Sequence, residues 1–550
     1  MAADPKEITQ RFRELKDQRS SWEPLWKDIR DYCLPDMGCF SGEDASDGHK
    51  RYGRILDPEA IDCADILAAG LLSGVSSPSR PWLKLTTLDE ELDRVPAVAE
   101  WLDKVQRRML TIFSKAEIYN QLHQSYLELV AFGSACTMIL PHPEQIVHLQ
   151  NLTIGQYWLA DDPFGRVDTV YRKLSMTAKQ MVQQWGLENV SSQVRNDYER
   201  NPYAKHDIIH VVEPRLDRNP DKIDNMNLPW RSVYFEENQC DRILSESGFR
   251  DFPALCPRWM TIGGSVYGRG PGAKALSASK ALQQMAYRFA TLIDYYTDMP
   301  VAYPDTFTNA LRHMRPGGRI PINAGANELA SLRPAWEVKN DPQSVLTAIQ
   351  ARRADIQRMY YVNVFQMIAA NQNSDRTATE VAALEQEKVM MMGPVLERLH
   401  SELLDPLVSN TFNFMVEQNA LPEVPDDLNG KNLSVEYISV LAEAQRNSSV
   451  TGIVRWAQQI GMLTQLNPNA VDRIDIDKTI EELADINGIP PSLVVSGDKA
   501  ALIREARDQQ QQAQMQAAQM PMTASALKDL SQAADGGGLE KIAGGIAPQP

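Results

Sequence analysis

The segment SDRTATEVAALEQEKVMMMGPVLERLHSELLDPLV, Ser374 to Val408, opens polar and turns helical. Its lead, Asn371-Gln372-Asn373-Ser374-Asp375-Arg376, is loop-like. Thr377 stands three residues before Glu380, the spacing of a capping box, so a helix starts near Ala378. Apolar residues then recur at Val381, Leu384, Met391, Val395, Leu399, Leu403 and Leu407, mostly three or four apart, which is the period of one buried helix face. Pro394 and Pro406 interrupt the pattern. A proline lacks the amide and crowds the preceding turn, so the rod is expected to bend or break at each. A long kinked helix over 378–420, entered from a polar loop, is the prediction.

Upstream lie two further helical patterns. From Ala273 to about Tyr296, Ala278, Leu282, Met285, Phe289, Leu292 and Tyr296 alternate spacings of four and three, a heptad-like seam. From Pro342 to Phe365, Leu346, Ile349, Ile356, Tyr360 and Val364 repeat it, with Arg353 as an interruption. The two are expected to be partners, each about 35 Å long at ~1.5 Å per residue. Between them, Val301 to Asp341 is an irregular, proline-rich excursion. Both helices carry more basic than acidic residues. Arg352, Arg353 and Arg358 on the second read as a solvated face or as inter-subunit pairs. The glycine-dense GGSVYGRGPG, Gly263 to Gly272, invites a phosphate-loop reading, but the Gly-Lys-Ser/Thr ending is absent and Pro271 stands where a dinucleotide loop needs a free amide. A structural lead into the helix is the better account.

Residues 6–33 read as helix, broken or restarted at Pro24, with Trp22 and Trp26 as packing anchors. Residues 36–54 read as loop, and helices follow over 58–72, 95–116 and 118–133. From Gln145 to Ile262 the texture is short apolar runs between turns: Val147–Leu149, Tyr157–Ala160, Val167–Leu174, Ile208–Val212, Ser232–Glu236 and Pro253–Ile262 are predicted strands, with Asp162-Pro163-Phe164-Gly165 as a hairpin turn. Beyond the kinked helix, 439–465 and 477–487 read as helical. Asp498 to Met520 is a Gln/Ala-rich helix too poor in apolar bulk to stand alone. Residues 521–550 are expected to be disordered. The fold class is α+β, predominantly α-helical.

Composition excludes several functions. A net charge of −16, from 56 basic and 72 acidic residues, argues against a protein that grips nucleic acid, since tight binding comes from many Lys or Arg contacts to phosphate. A conduit along which DNA slides is compatible with such a balance. The six cysteines, Cys33, Cys39, Cys63, Cys136, Cys240 and Cys256, form no C-x-x-C pair and have no histidine spaced to complete a zinc site, so they read as reduced cytosolic thiols and no metal or cofactor is expected. Met1 to Lys6 lacks the apolar core of a signal peptide, and the run Ile66–Val75 is too short for a bilayer, so neither secretion nor a membrane span is predicted. Eight scattered histidines and the missing Walker A motif speak against an enzyme of the nuclease or NTPase kind, leaving no catalytic candidate. Composition alone also allows a cytosolic helical scaffold with no DNA role.

Specific strings go further. R-T-A-T-E-V from Arg376, and G-P-V-x-x-R-L-x-x-E-L-L-x-P-L-V from Gly393, resemble the head-to-tail connector, or portal, family of short-tailed bacteriophages. So do R-F-x-x-L-K-x-x-R-S-S-W-x-P-L-W from Arg11, S-S-P-S-R-P-W-L-K-L from Ser76, Y-G-R-G-P-G-A-K-A-L from Tyr267 and the Gln/Ala-rich C-terminus. The resemblance implies a ring of identical subunits, a dodecamer, at one capsid vertex, with double-stranded DNA passing through its channel during packaging and ejection. It implies a wing with a β-rich subdomain over 1–262, stem helices over 263–300 and 342–366, and a clip over 301–341. A channel loop over 367–377, the wing helix over 378–420, a crown over 421–497 and a barrel helix over 498–520 complete it. The channel loop would present Asn371, Gln372, Asn373, Ser374, Asp375 and Arg376 to DNA, the second stem helix would line the channel with Arg352, Arg353 and Arg358, and the clip would dock partners through Arg312, Arg315 and Arg319. Implied partners are the terminase large subunit, major capsid and scaffolding proteins, the tail adaptor, and internal core or ejection proteins. The implied location is the virion's portal vertex, after assembly in the host cytoplasm.

Overall fold

The computed structural model describes residues 4–40, 52–93, 95–222, 224–297, 301–304, 319–322, 333–334, 342–364, 392–428, 433–437, 500, 502–507 and 509–511. The chain divides into two compact units, Met1–Leu88 with Leu102–Gln445, and Asp89–Trp101 with Arg446–Pro550. In the second unit the described elements are α4 (Glu90–Asp93), the first residues of α5 (Pro96–Lys115), and helical residues 502–507 and 509–511, where Leu502 and Ile503 are exposed. The predicted helices at 439–465 and 477–487, and the tail 521–550, lie outside the described residues.

The first unit opens on α1 (Pro5–Ser20) and α2 (Glu23–Cys33). Asp4 caps α1 by accepting from the Lys6 amide at 2.9 Å, and Pro24 sits in the first turn of α2, where its missing N–H costs nothing. Proline therefore restarts the helix here rather than kinking it. α3 (Glu59–Val75), β1 (Leu83–Thr87), α5 and α6 (Ile118–Phe132) follow, and α6 ends on Gly133 at φ 85°, the left-handed cap that glycine adopts without a Cβ penalty.

The β-rich region is larger than the sequence pattern suggests. A five-stranded antiparallel meander runs β4 (Tyr157–Asp161), β5 (Val167–Thr177), β6 (Lys205–Pro214), β7 (Trp230–Glu236) and β8 (Gln239–Phe249). The 162–165 turn forms as expected, with the Gly165 amide donating to the Asp162 carbonyl at 3.0 Å. Two helices inside this region, α7 (Ala178–Trp185) and α8 (Ser192–Arg200), went unpredicted, although Thr177 and Gln180 make a complete capping box. Alternation along the strands sorts the two faces. On one, Ile8, Phe12 and Leu15 of α1 pack on Trp158, Tyr171, Ile209, Val211, Val233 and Phe235; on the other, Ala178, Met181, Val190 and Val194 pack on Ile208 and Leu244. Phe12 is the peg, with ring centroids 4.9 Å from Trp158 and 6.0 Å from Tyr171.

A second sheet has the order β3 (Ile146–Leu152), β2 (Cys136–His142), β9 (Ala254–Leu255). The strand predicted over Pro253–Ile262 is thus only two residues long, because Pro253 and Pro257 bracket it and cannot donate to a ladder. β2 was also missed, and it pairs along its whole length with β3. Next come α9 (Pro271–Thr297), the three-stranded set β11 (Arg319–Ile322), β10 (Val301–Pro304), β12 (Arg333–Pro334), and α10 (Pro342–Met359). The helix predicted from Pro342 to Phe365 is interrupted rather than continuous: α10 ends at Met359, Tyr361 turns left-handed at φ 56° beside the fully buried Tyr360, and residues 362–364 are helical again.

The kinked helix is described from 392, as helix α11 (392–399), a π-turn His400–Leu404 and α12 (Asp405–Glu417). The break expected at Pro406 is real and takes a specific form. Pro406 has no N–H for the carbonyl four residues back, and the helix shifts register so that the Asp405 amide donates to the His400 carbonyl. Leu433–Tyr437 (β13) returns to pair with β1.

Candidate functional site

The glycine stretch is a packing device. A Cβ on Gly272 would lie 2.3 Å from the Ala131 carbonyl oxygen, one on Gly270 2.8 Å from those of Leu129 and Val130, and one on Gly268 2.3 Å from that of Gly133. The loop thus lies directly on the C-terminal carbonyls of α6. Its amides are used internally, Gly268 donating to Ser134 Oγ at 2.8 Å and Arg269 to the Met260 carbonyl at 2.8 Å. Carbonyl oxygens at a helix C-terminus repel anions. This surface does not suit phosphate, and it fixes where α9 starts.

Arg258, ahead of that loop, is 4% exposed and holds three segments together. Its Nη2 donates to Glu402 Oε1 at 2.5 Å and to the Gly165 carbonyl at 2.6 Å, and its backbone amide donates to Glu402 Oε2 at 2.9 Å. Glu402 sits in the π-turn, so the register shift at Pro406 is what presents this carboxylate. Sequence reading missed the pair, because 144 residues separate the partners.

α9 and α10 pack side by side. Gln283 of α9 and Arg353 of α10 both reach the segment that starts α3, at similar distances from the excursion joining them, so the helices run antiparallel. Gln283 Oε1 accepts from the Leu56 and Asp57 amides at 2.7 and 3.0 Å, and its Nε2 donates to the Asp57 carbonyl at 2.7 Å. Arg353 Nε donates to the buried Asp57 Oδ2 at 3.0 Å, and Gln357 Nε2 to Glu59 Oε1 at 2.8 Å. The arginine that interrupts the apolar seam is therefore a polar clasp on α3. Nearby, Lys280 bonds Asp28 at 2.7 Å.

Of the other seam positions, Ala278, Leu282, Ile349, Ile356, Tyr360 and Val364 are buried, whereas Met285, Phe289, Leu292, Tyr296 and Leu346 are only half-buried. From Gln284 to Thr297, however, α9 has no buried residue, and Tyr287 is 63% exposed. Lys274, Ser277, Gln284 and Arg288 are exposed at spacings of three, seven and four, one stripe of the helix. Among the described residues, neither Lys274 nor Arg288 makes an ion pair.

Arg352 and Arg358 both bond Asp355, at 3.3 and 3.0 Å, on their own helix. Arg319 begins β11. Arg312, Arg315 and the loop Asn371, Gln372, Asn373, Ser374, Asp375 and Arg376 lie outside the described residues. Among the described residues no group of three His, Cys, Asp or Glu is placed to hold a metal ion, and no helix is long and apolar enough to cross a membrane.

The model of the bacteriophage head to tail connecting protein family matches residues 5–495. The chain belongs to this family. It is 42% identical over 515 residues to the probable portal protein of Bordetella phage BPP-1, covering 93% of each chain. It is 36% identical over 556 residues to the portal protein of Salmonella phage epsilon15, covering 100% of both. The neck of an empty gene transfer agent particle matches 75% of this chain and 88% of its own, at TM-score 0.36 and 10% identity, a likeness too low to carry an argument. The family's predicted α+β fold is the one observed.

Proposed function

We propose that this connector subunit assembles into a homo-oligomeric portal ring, a dodecamer, at one capsid vertex, and that the α9–α10 pair surrounds a channel for double-stranded DNA. The observation that carries this reading is the exposed polar stripe of Lys274, Ser277, Gln284 and Arg288 along α9. Duplex DNA that must slide needs a polar wall with few cations, because each strong phosphate contact adds to the attachment that has to be broken. Two cations per subunit on a polar stripe, Lys274 and Arg288, neither in an ion pair among the described residues, supply attraction without a grip. α9 is also rooted: the glycine loop fixes its start and the Asp57 junction holds its middle.

Further assignments belong to this proposal. Residues 371–376 form the loop nearest the DNA, and Arg312, Arg315 and Arg319 dock first the terminase large subunit and then the tail adaptor. Capsid and scaffolding proteins surround the ring, and internal core or ejection proteins meet its inner end. The subunit is structural, with no reaction of its own, and it resides in the virion after assembly in the host cytoplasm.

Single-particle electron microscopy of the purified protein tests the reading. Closed rings are expected, with α9 facing a bore that admits duplex DNA. Rings in which α9 faces the outer surface, or a bore too narrow for a duplex, would overturn it.

A further inference from the structure

We infer that Cys136 and Cys256 are an oxidation site, a dithiol that closes to a cross-strand disulfide joining β2 to β9 just ahead of α9. The two sulfurs face each other at 3.7 Å. The register Thr137↔Leu255 and Met138↔Ala254 continues to place Cys136 opposite Cys256. The Ala135 amide donates to the Pro257 carbonyl at 3.1 Å and the Ile139 amide to the Pro253 carbonyl at 2.9 Å. These bonds make 135/257 and 139/253 the hydrogen-bonded pairs, so 136/256 is a non-hydrogen-bonded pair. At such positions opposing Cα atoms stand about 4.5 Å apart and side chains approach most closely. That separation is within the range a disulfide spans.

The same strand explains both access and consequence. β9 is an edge strand, and Pro253 and Pro257 each contribute one ladder bond where another residue would contribute two. Both thiols are buried, Cys136 at 1% and Cys256 at 4% exposure, and burial pushes the Cys256 thiol up, so the closed strand reacts slowly. A thin edge strand opens at lower cost than the core, and reaction proceeds from that opened form. Once open, one thiolate attacks a low-molecular-weight disulfide and releases a thiol, leaving a mixed disulfide. The second thiolate then displaces the other half as a second thiol. Two protons and two electrons leave the cysteines, and the external disulfide is reduced to two thiols. The new bond staples the strand that leads into Arg258, two residues on, and so into the root of α9. Cys33 and Cys63 have other partners: Cys33 lies 3.8 Å from Ser279 Oγ and Cys63 3.6 Å from Glu59 Oε1.

This chemistry is independent of the channel reading; its biological timing rests on it. A particle that leaves a reducing cytoplasm for an oxidising exterior would close the bond on release.

The test is peptide mapping by mass spectrometry after incubation of the full-length protein with oxidised glutathione or with dithiothreitol. The expected product is one peptide pair linked through Cys136 and Cys256, reversed by dithiothreitol and absent in Cys256→Ser. Amide exchange over 253–258 should slow by about tenfold or more in the linked form. Free thiols at both positions, or only glutathione adducts there, under conditions where the less buried Cys39 reacts, would overturn the inference. The wild-type map decides this even if Cys256→Ser does not fold, and Cys136→Ala is then the control.

Discussion

In the sheet body several titratable groups are fully buried and bonded within the chain, whereas the charged groups of α9 and α10 lie at or near the surface. His210 in the body is wholly buried, accepting at Nδ1 from Arg172 Nε at 2.8 Å, with Nε2 3.0 Å from Ser232 Oγ. Glu128 is 3% exposed and accepts from the Thr153 hydroxyl and, at 3.1 Å, from the Ile154 amide. On α10, by contrast, Arg358 is 74% exposed beside Asp355. The helix pair carries an exposed face, the one that the proposed ring would use. Substitutions in the body should therefore register in folding, and those along the pair in assembly.

The largest effect is expected at the lock between Arg258 and the π-turn. Glu402→Ala leaves a guanidinium unpaired in the interior and should lower the unfolding free energy by ~3–5 kcal/mol in urea titrations. A loss near that of an exposed pair would mean that this end of the body is open to water.

Next is Glu128, whose carboxyl burial pushes up to about 7, against an ordinary 4.5, with the Thr153 and Ile154 hydrogen bonds opposing. The folded state binds the proton more tightly than the unfolded one. Its contribution is thus full below about pH 4.5 and is lost as pH rises through 7. Glu128→Gln should stabilise the protein by about 3 kcal/mol at pH 8 and leave it unchanged near pH 4. His210 acts in the opposite direction: burial, then Arg172, holds it well below the usual imidazole range, so stability falls as pH drops below 6.5. Unfolding curves from pH 4 to 8 separate the two, and an unaltered profile in Glu128→Gln would break the contrast.

Arg353→Ala tests the same ion-pair chemistry at higher exposure. With the arginine 45% exposed, solvent screening limits the cost to about 1 kcal/mol, read in the same titrations. A loss as large as that of Glu402→Ala would show that the clasp belongs energetically to the body. The smallest folding effect, within about 0.5 kcal/mol, is expected for Tyr287→Ser combined with Ile293→Ser, both exposed on α9. Sedimentation should nevertheless show fewer rings. Normal assembly would mean that this face meets no neighbouring subunit.

Much of this architecture was legible in periodicity. The α9 seam from Ala278 to Tyr296 has no exposed member, and both Pro24 and Pro406 mark real discontinuities. The short strand β9, β2, β8 and the helices α7 and α8 were not legible. An apolar run such as Cys136–Leu140 has no period that separates strand from buried helix, and two prolines made Pro253–Ile262 look like a strand that their missing amides in fact cut short. Of the site, Arg353 was visible as a charge in an apolar seam, but its partners Asp57 and Glu59 were not.

The sequence by itself determined where helices lie and which of their faces are apolar, because both follow from local spacing and from backbone chemistry that needs no distant partner. It also determined family membership, through strings spread along nearly the whole chain. Only the tertiary structure decided what the glycines before α9 are for, which carboxylate meets Arg258, and that Cys136 faces Cys256. Each depends on residues more than a hundred positions apart meeting at contact distance, and nothing in the local pattern of either partner records the other.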